Sequence, residues 1–430
     1  MSKKYFSVPN CGNYIYDSLT NKIITIPSDN VIDDFFTYEK EIIEGLNGIE
    51  WGIEKEAFIK AYHTQLRTIV LQITQDCNLQ CVYCAYSGEF SHMFPHAKDK
   101  MSVDTAKKSI DFFMNHSCTD DLLTIIFYGG EPLLEFDTVM EIVNYANSFN
   151  RKIHYGISTN GTLLSKNVIE WLSENPNVYL TVTINGNKHD EYRIGKNGHG
   201  TLQSILDKME YIKQKYPAVW KNQVRVITNI YSYEEVDSLR EFFLQTVEKI
   251  PVAITNICLD HASAKLCSHF SRNADQEKKK KAELIDTYIN QKDPFLEKIF
   301  ETGLDKVSNR GLCTPDTPGY IDSCAPLIWR LFIRSNGEIS LCEKVSDHLG
   351  LGNVVTGYDE SKILKLYYGL KDFCYRNCRE CWAQRLCMFC YQDIIDENGE
   401  MIDRFPEERC VRNKMEALEY LKMYVRMVSS

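Results

Sequence analysis

Apolar positions between residues 68 and 258 gather into six short runs, each set apart by polar turn residues. They read TIVLQIT (68–74), LLTIIFY (122–128), KIHYGIS (152–158), VYLTVTI (178–184), VRVITNI (224–230) and PVAITNI (251–257). All are rich in β-branched side chains, which suit a pleated surface. The stretches that follow the first five, such as VDTAKKSIDFFMNH (103–116), space their apolar residues three and four apart, the period of a one-sided helix. Strand and helix in alternation predict a parallel sheet with crossover helices. Six such units make an incomplete barrel, with ligand-binding loops at the C-terminal ends of the strands.

The pattern changes on either side. In residues 1–66, KYFSVP, NYIYDS and KIITIP predict three short strands joined by turns, then two helical stretches, a module of its own. Residues 259–312 form a bridging region whose charge run QEKKKKAEL reads as a solvated helix face. From residue 313 to 430 turns and cysteines dominate until a final helix, VRNKMEALEYLKMYVRM. The expected division is therefore 1–66, 67–258, 259–312 and 313–430.

A chain of 430 residues exceeds what one core usually serves, in keeping with several domains. Its formal net charge of −10 argues against a nucleic-acid partner and suits a neutral or basic peptide. No apolar run approaches the roughly 20 residues of a membrane span, and MSKKYFSVPN lacks a secretory signal, so a cytoplasmic, membrane-free location is expected. Sixteen cysteines are then abnormal, because reducing cytosol disfavours disulfides and clustered thiols there point to metal or redox work. Three lie within Cys77–Cys84 and eight between Cys313 and Cys390, which predicts two metal-bearing regions.

Cys77, Cys81 and Cys84 follow the first strand directly. Three thiolates leave one iron of a [4Fe–4S] cluster open to a cofactor or substrate. A zinc site would want a fourth ligand, for which His92 or His96 is available. The C-x3-C-x2-C loop, with Tyr83 inside it, resembles that of the radical S-adenosylmethionine (SAM) superfamily. Other strand ends resemble that family in order. Gly129-Gly130-Glu131-Pro132 is similar to the segment whose backbone and carboxylate hold the amino group of SAM. Ser158-Thr159-Asn160-Gly161 is similar to the ribose-contacting segment. Thr183-Ile184-Asn185-Gly186, then His189-Asp190 and Arg193, resembles the fourth-strand segment, with Asn185 in place of the common Asp and Thr183 in place of Ser. The resemblance implies reductive cleavage of SAM to methionine and a 5′-deoxyadenosyl radical that abstracts hydrogen from an unactivated C–H bond, the protein supplying placement and dryness.

Downstream, Cys324, Cys342, Cys378, Cys381, Cys387, Cys390 and Cys410 resemble the SPASM domain, except that two residues rather than three separate Cys387 from Cys390. By that resemblance one auxiliary [4Fe–4S] cluster takes Cys378, Cys381, Cys387 and Cys410, and another takes Cys324, Cys342, Cys390 and one upstream cysteine. Cys313 is the nearest candidate, with Cys258, Cys267 and Cys374 competing. Cys118 and Cys258 sit beside apolar segments and read as buried small hydrophobes. A zinc ribbon is the alternative for Cys378 to Cys390 on spacing alone. Glu343 stands where related sulfatase-maturing enzymes carry a general base, with Asp347 and His348 as weaker candidates.

The fold expected from these resemblances is α/β: a partial (β/α)6 radical SAM barrel, a winged-helix-like leader-binding module before it and a SPASM domain after it. The function expected is that of a maturase of ribosomally made peptides, of the sactipeptide and ranthipeptide type, joining Cys sulfur to carbon in a thioether. Its partners would be a precursor peptide with an N-terminal leader and an electron donor such as flavodoxin or ferredoxin. Carbon–carbon cross-linking and formylglycine formation are the enzymatic alternatives. A non-catalytic iron–sulfur or zinc protein is the reading from another class.

Overall fold

The computed structural model of the chain describes residues 3–26, 54–118, 120–312 and 326–429. Three antiparallel strands open it: β1 (Lys3–Val8), β2 (Gly12–Asp17) and β3 (Lys22–Ile26), with β2 in the middle. After α1 (Lys55–Thr64) come β4 (Thr68–Thr74), β5 (Leu79–Cys81), β6 (Leu123–Gly129), β7 (Ile153–Thr159), β8 (Val178–Thr183), β9 (Arg193–Gly195), β10 (Val224–Ile230), β11 (Ala253–Asn256), β12 (Arg330–Ile333) and β13 (Ile339–Ser340). The intervening helices are α2 (Val103–Asn115), α3 (Phe136–Asn147), α4 (Lys166–Glu174), α5 (Leu202–Lys215) and α6 (Val236–Phe242), beside shorter helical turns. Then follow α7 (Ala274–Gln291), α8 (Pro294–Ser308), α9 (Glu360–Cys378) and α10 (Glu407–Ser429).

The six expected strands all form, and their neighbours pair in parallel, β4 to β6 to β7 to β8 to β10 to β11. Their bounds shift by at most two residues at an end. The sheet then continues past its expected edge. β12, from the cysteine-rich part of the sequence, lies parallel on β4 with Arg330 opposite Thr68 and Ile333 opposite Leu71, and β13 folds back on β12. The sheet stays open, because its outer strands β11 and β13 do not pair with each other.

Alternation along the strands gives the sheet two unlike faces. Leu123, Ile125 and Phe127 of β6 and Val178, Leu180 and Val182 of β8 are fully buried in the main core. Each such side chain contributes roughly 1.5–3 kcal/mol by burial. Their neighbours Thr124, Tyr128, Tyr179 and Thr181 turn the other way, with His154, Arg225 and Arg330, into a polar hollow of about 310 Å³. Ser102 and Ser165 cap α2 and α4 by accepting from Thr105 N and Val168 N, each cap stabilising by about 1 kcal/mol.

The N-terminal sheet does not rest on the barrel floor. Phe6, Val8, Tyr14 and Tyr16 pack instead with Val307 of α8, with Ala383 and Leu386, and with Ala417, Leu421 and Val425 of α10. Its apolar face is thus covered by the region that carries the C-terminal cysteines. Among the described residues no helix is long and apolar enough to cross a membrane.

Candidate active site

The ends of the parallel strands converge on one cavity of about 400 Å³. Cys77, Cys81, Cys84 and Tyr83 reach it from the loop after β4, Gly129 and Gly130 from β6, Ser158 and Asn160 from β7, Thr183 from β8 and Arg193 from β9. Glu343, beyond β13, lines it too. Residues far apart in sequence thus share one space.

The glycine pair sets the register of the cysteine loop. Gly130 N donates to Thr74 O and Glu131 N to Asp76 O, at 2.8 and 2.9 Å, so the backbones lie against each other. A Cβ on Gly130 would stand 1.9 Å from Asp76 O, and one on Gly129, whose φ is +128°, would stand 2.2 Å from Thr74 O. Only glycine permits that approach. On its far side the loop forms β5, which pairs with β9 and sets Cys81 opposite Arg193.

Tyr83 is locked among three strand ends. Its Oη donates to Asn185 Oδ1 at 3.1 Å and accepts from Arg193 Nη1 at 2.9 Å and Asn229 Nδ2 at 3.1 Å. Asn185 Nδ2 in turn donates to Asn229 O at 3.0 Å. An aspartate there could accept from Tyr83 but could not donate to Asn229, which accounts for the departure from the usual motif. Asn229, at the end of β10, was not singled out from sequence, where one strand-end asparagine carries no signal.

Three expected residues, Glu131, Pro132 and Asp190, stand elsewhere. Glu131 is fully buried outside the cavity wall, its Oε1 accepting from Leu133 N and Thr159 Oγ1 and its Oε2 from Asn160 N. It clamps the Ser158–Asn160 segment from behind, and burial pushes its carboxyl up. Pro132 opens the short helical turn that follows. Asp190 likewise faces away, accepting from Thr201 N and Leu202 N at the start of α5.

The thiols suit a cationic cluster. Burial pushes Cys77 up to about 11 and Cys84 up to about 12, so thiolates there need a bound positive centre. Leu79 N points at Cys77 Sγ from 3.4 Å, a donor to a ligand sulfur. Arg193 is buried with its Nε lacking a hydrogen-bond partner, as a site for an anionic group requires. Among the described residues no three His, Cys, Asp or Glu side chains stand close enough to hold a single metal ion. His96 instead leans on the loop, Nδ1 at 2.8 Å from Gln75 O and Nε2 at 3.5 Å from Cys84 Sγ.

Glu343 is far from a solvated strand end. Arg330 Nη2 donates to both its oxygens, at 2.7 and 2.8 Å, and the side chain is 12 % exposed. Burial would raise its carboxyl, yet the Arg330 guanidinium wins and holds it below the usual range. Cys342 Sγ lies 3.2 Å from Glu343 Oε2.

A second group of thiols gathers at the C-terminal end. Burial, then Cys381, Cys387 and Cys410 close by, push Cys378 up to about 12, so all four lie within electrostatic reach of one another. Asn413 Nδ2 is 3.5 Å from Cys387 Sγ and Lys414 bonds to Cys410. Cys374, one turn before Cys378 and 2 % exposed, borders the group. Cys390 N donates to Asp393 Oδ2 at 2.9 Å. Cys313 and Cys324 lie outside the described residues. Cys118 and Cys258, expected as buried hydrophobes, are both exposed. Turn residues beside an apolar strand do not share its burial, and Cys258 opens onto the cavity.

The Radical SAM superfamily profile matches residues 71–243. An uncharacterised protein of Methanocaldococcus jannaschii is 28 % identical over 301 residues, 69 % of this chain and 91 % of that one. A cysteine-type anaerobic sulfatase-maturating enzyme of Clostridium novyi is 27 % identical over 194 residues, 42 % of this chain and 50 % of its own length. The radical SAM cyclopropyl synthase TigE of Paramaledivibacter caminithermalis is 24 % identical over 245 residues, 54 % and 50 %. The chain thus spans about half the length of these last two relatives. Among solved structures, anSMEcpe with bound AdoMet and Kp18Cys peptide superposes with a TM-score of 0.63 at 19 % identity, over 84 % of this chain and 98 % of that one. Streptococcus suis SuiB bound to precursor peptide SuiA gives 0.52 at 14 % identity, over 95 % and 98 %. Both share the fold. With the cysteine loop, the glycine pair and Arg193 brought to one cavity inside the matched region, residues 71–243 form a radical SAM domain.

Proposed function

We propose that this enzyme matures a peptide, abstracting hydrogen from one of its residues, with thioether formation between Cys sulfur and carbon as the leading outcome. The observation that carries the reading is the single cavity that holds the cysteine triad on one side and Glu343 on the other. Cys77, Cys81 and Cys84 would hold the first [4Fe–4S] cluster. Arg193 would face the carboxylate of SAM, with Ser158, Asn160 and Thr183 offering polar groups to its ribose. Bound together, cluster and SAM supply a 5′-deoxyadenosyl radical. Glu343, kept ionised by Arg330, would take the proton released as the substrate is oxidised. Cys378, Cys381, Cys387 and Cys410 would hold one auxiliary cluster, and Cys324, Cys342 and Cys390 with Cys313 the other. An electron donor of the flavodoxin or ferredoxin type would feed them.

The N-terminal sheet supports a peptide partner. β1 and β3 are its edge strands, β3 with no neighbour on its outer side among the described residues, and an extended leader can add to such an edge by main-chain hydrogen bonds. Formylglycine formation is the second reading, favoured by the sulfatase-maturating relatives and by a carboxylate beside Cys342. Product mass separates the two on a cysteine substrate, since a thioether forms with loss of two hydrogens alone, whereas formylglycine forms with loss of two hydrogens and replacement of the sulfur by oxygen.

Reconstituted without oxygen, the protein should bind about 12 irons and release methionine and 5′-deoxyadenosine on reduction. Stoichiometric zinc with little iron would end the reading. A chain beginning near Gln65 should bind a precursor leader far more weakly than the full chain, and equal affinity would assign the N-terminal sheet to packing alone.

A further inference from the structure

The cavity has a wall that the SAM-binding motifs leave unused. Cys258 stands just past β11, the last of the six parallel strands, whereas the cysteine triad follows β4, the first, so the two face one cavity from opposite ends of the arc. Water reaches the Cys258 thiol through the cavity mouth. Its Sγ donates to Asp260 Oδ2 at 3.0 Å, and Asp260 is held charged by Arg409, with Arg412 at 3.8 Å. Asp260 accepts the thiol hydrogen, so Cys258 presents an S–H rather than a thiolate.

A second observation points to an occupant. Tyr86 Oη and His92 Nδ1 line the same cavity and make no hydrogen bond, although the side chains are only 7 % and 3 % exposed. Tyr86 Oη can donate, and His92 Nδ1 can accept in one of its two neutral tautomers. A peptide unit carries one N–H and one C=O, the complement of that pair. Buried polar groups in folded proteins are matched, so these two call for a ligand in the cavity that the triad and Cys258 share.

We propose that Cys258 is a hydrogen-atom donor to a carbon radical held in this cavity. The S–H bond of a thiol is among the weakest hydrogen bonds to a heavy atom that a protein carries. Here that bond breaks and a C–H bond forms, leaving a thiyl radical on Cys258. One electron from the low-potential donor that SAM cleavage already requires, with one proton from water, restores the thiol. A substrate carbon that loses hydrogen on one face and regains it on the other is inverted with no net oxidation. The enzyme thereby has a redox-neutral outcome, stereochemical inversion of a peptide residue, beside the oxidative one. This inference rests on the radical chemistry proposed above.

The test needs only SAM as probe, because without peptide the 5′-deoxyadenosyl radical is itself a carbon radical in the cavity. The full-length enzyme is reduced with SAM in D₂O, where the Cys258 thiol exchanges, and deuterium per 5′-deoxyadenosine is read by mass spectrometry. The expected result is deuterated product from the wild type and a fall to background in Cys258→Ala. Cys258→Ser should fall equally, since its O–H also exchanges but is too strong to give up, and it controls for folding. Wild-type product without deuterium, or deuterium unchanged in either variant, overturns the assignment while leaving the radical SAM reading intact. Absence of any SAM cleavage overturns both.

Discussion

The two cysteine centres are built on different foundations. Cys77, Cys81 and Cys84 belong to one loop, and what fixes that loop is the sheet: the glycine pair of β6, the β5–β9 ribbon, and the Asn185, Asn229 and Arg193 partners of Tyr83. Cys378, Cys381, Cys387 and Cys410 come from the end of α9, the turns after it and the first turn of α10. Their frame is helix packing, shared with α8 and the N-terminal sheet. The first centre inherits its precision from backbone hydrogen bonds, and the second depends on how separate segments dock. Damage to one should therefore spare the other.

The largest break in that comparison is removal of the triad. Cys77, Cys81 and Cys84 replaced together by Ala should cost about four irons and all SAM cleavage while the C-terminal iron remains. Iron analysis with a 5′-deoxyadenosine assay checks this, and cleavage that survives would detach the triad from the cofactor.

Glu343→Gln should act between the centres. It keeps size and hydrogen bonding but removes basicity, so peptide product should slow by about 10²–10⁴ with iron content unchanged. A wild-type product rate would move the base to the substrate or to another residue.

The smallest effect sharpens the contrast through pH. Burial, with Arg193 adding to it, lowers His189 from 6.5 to about 4, and Asn185 N donates to its Nδ1 at 3.2 Å. The unfolded chain binds this proton first as pH falls. Stability owed to His189 is therefore full above pH 6.5 and is lost as pH drops toward 4, at about 1.4 kcal/mol per unit. Denaturant unfolding at pH 7 and pH 5 should show a larger loss for the wild type than for His189→Gln. Equal losses would mean that His189 does not carry this acid sensitivity.

Most of this architecture was legible where periodicity was strong. β4 and β10 fall on the runs TIVLQIT and VRVITNI, and the ordered motifs at successive strand ends supply much of the cavity lining. β5 and β9 are too short to carry a period, so the ribbon that sets Cys81 opposite Arg193 left no trace in the pattern. β12 was hidden for another reason: four residues, Arg330–Ile333, sit in a turn-rich stretch, and their partners are the distant β4 and the two-residue β13. Burial of Glu131 and exposure of Cys258 depend on side-chain direction at strand ends, which composition does not encode.

The pairing of β12 with β4 also has a consequence for the order in which the protein is made. β4 emerges early from the ribosome, but the strand that covers its second edge is translated more than half the chain later. At about 5–20 residues per second, the open edge waits on the order of tens of seconds. Exposed strand edges recruit other chains, so this interval is where a chaperone matters most. The same delay means that Glu343 and Gln392 join the cavity only after the strand ends that bear the cysteine loop have been made.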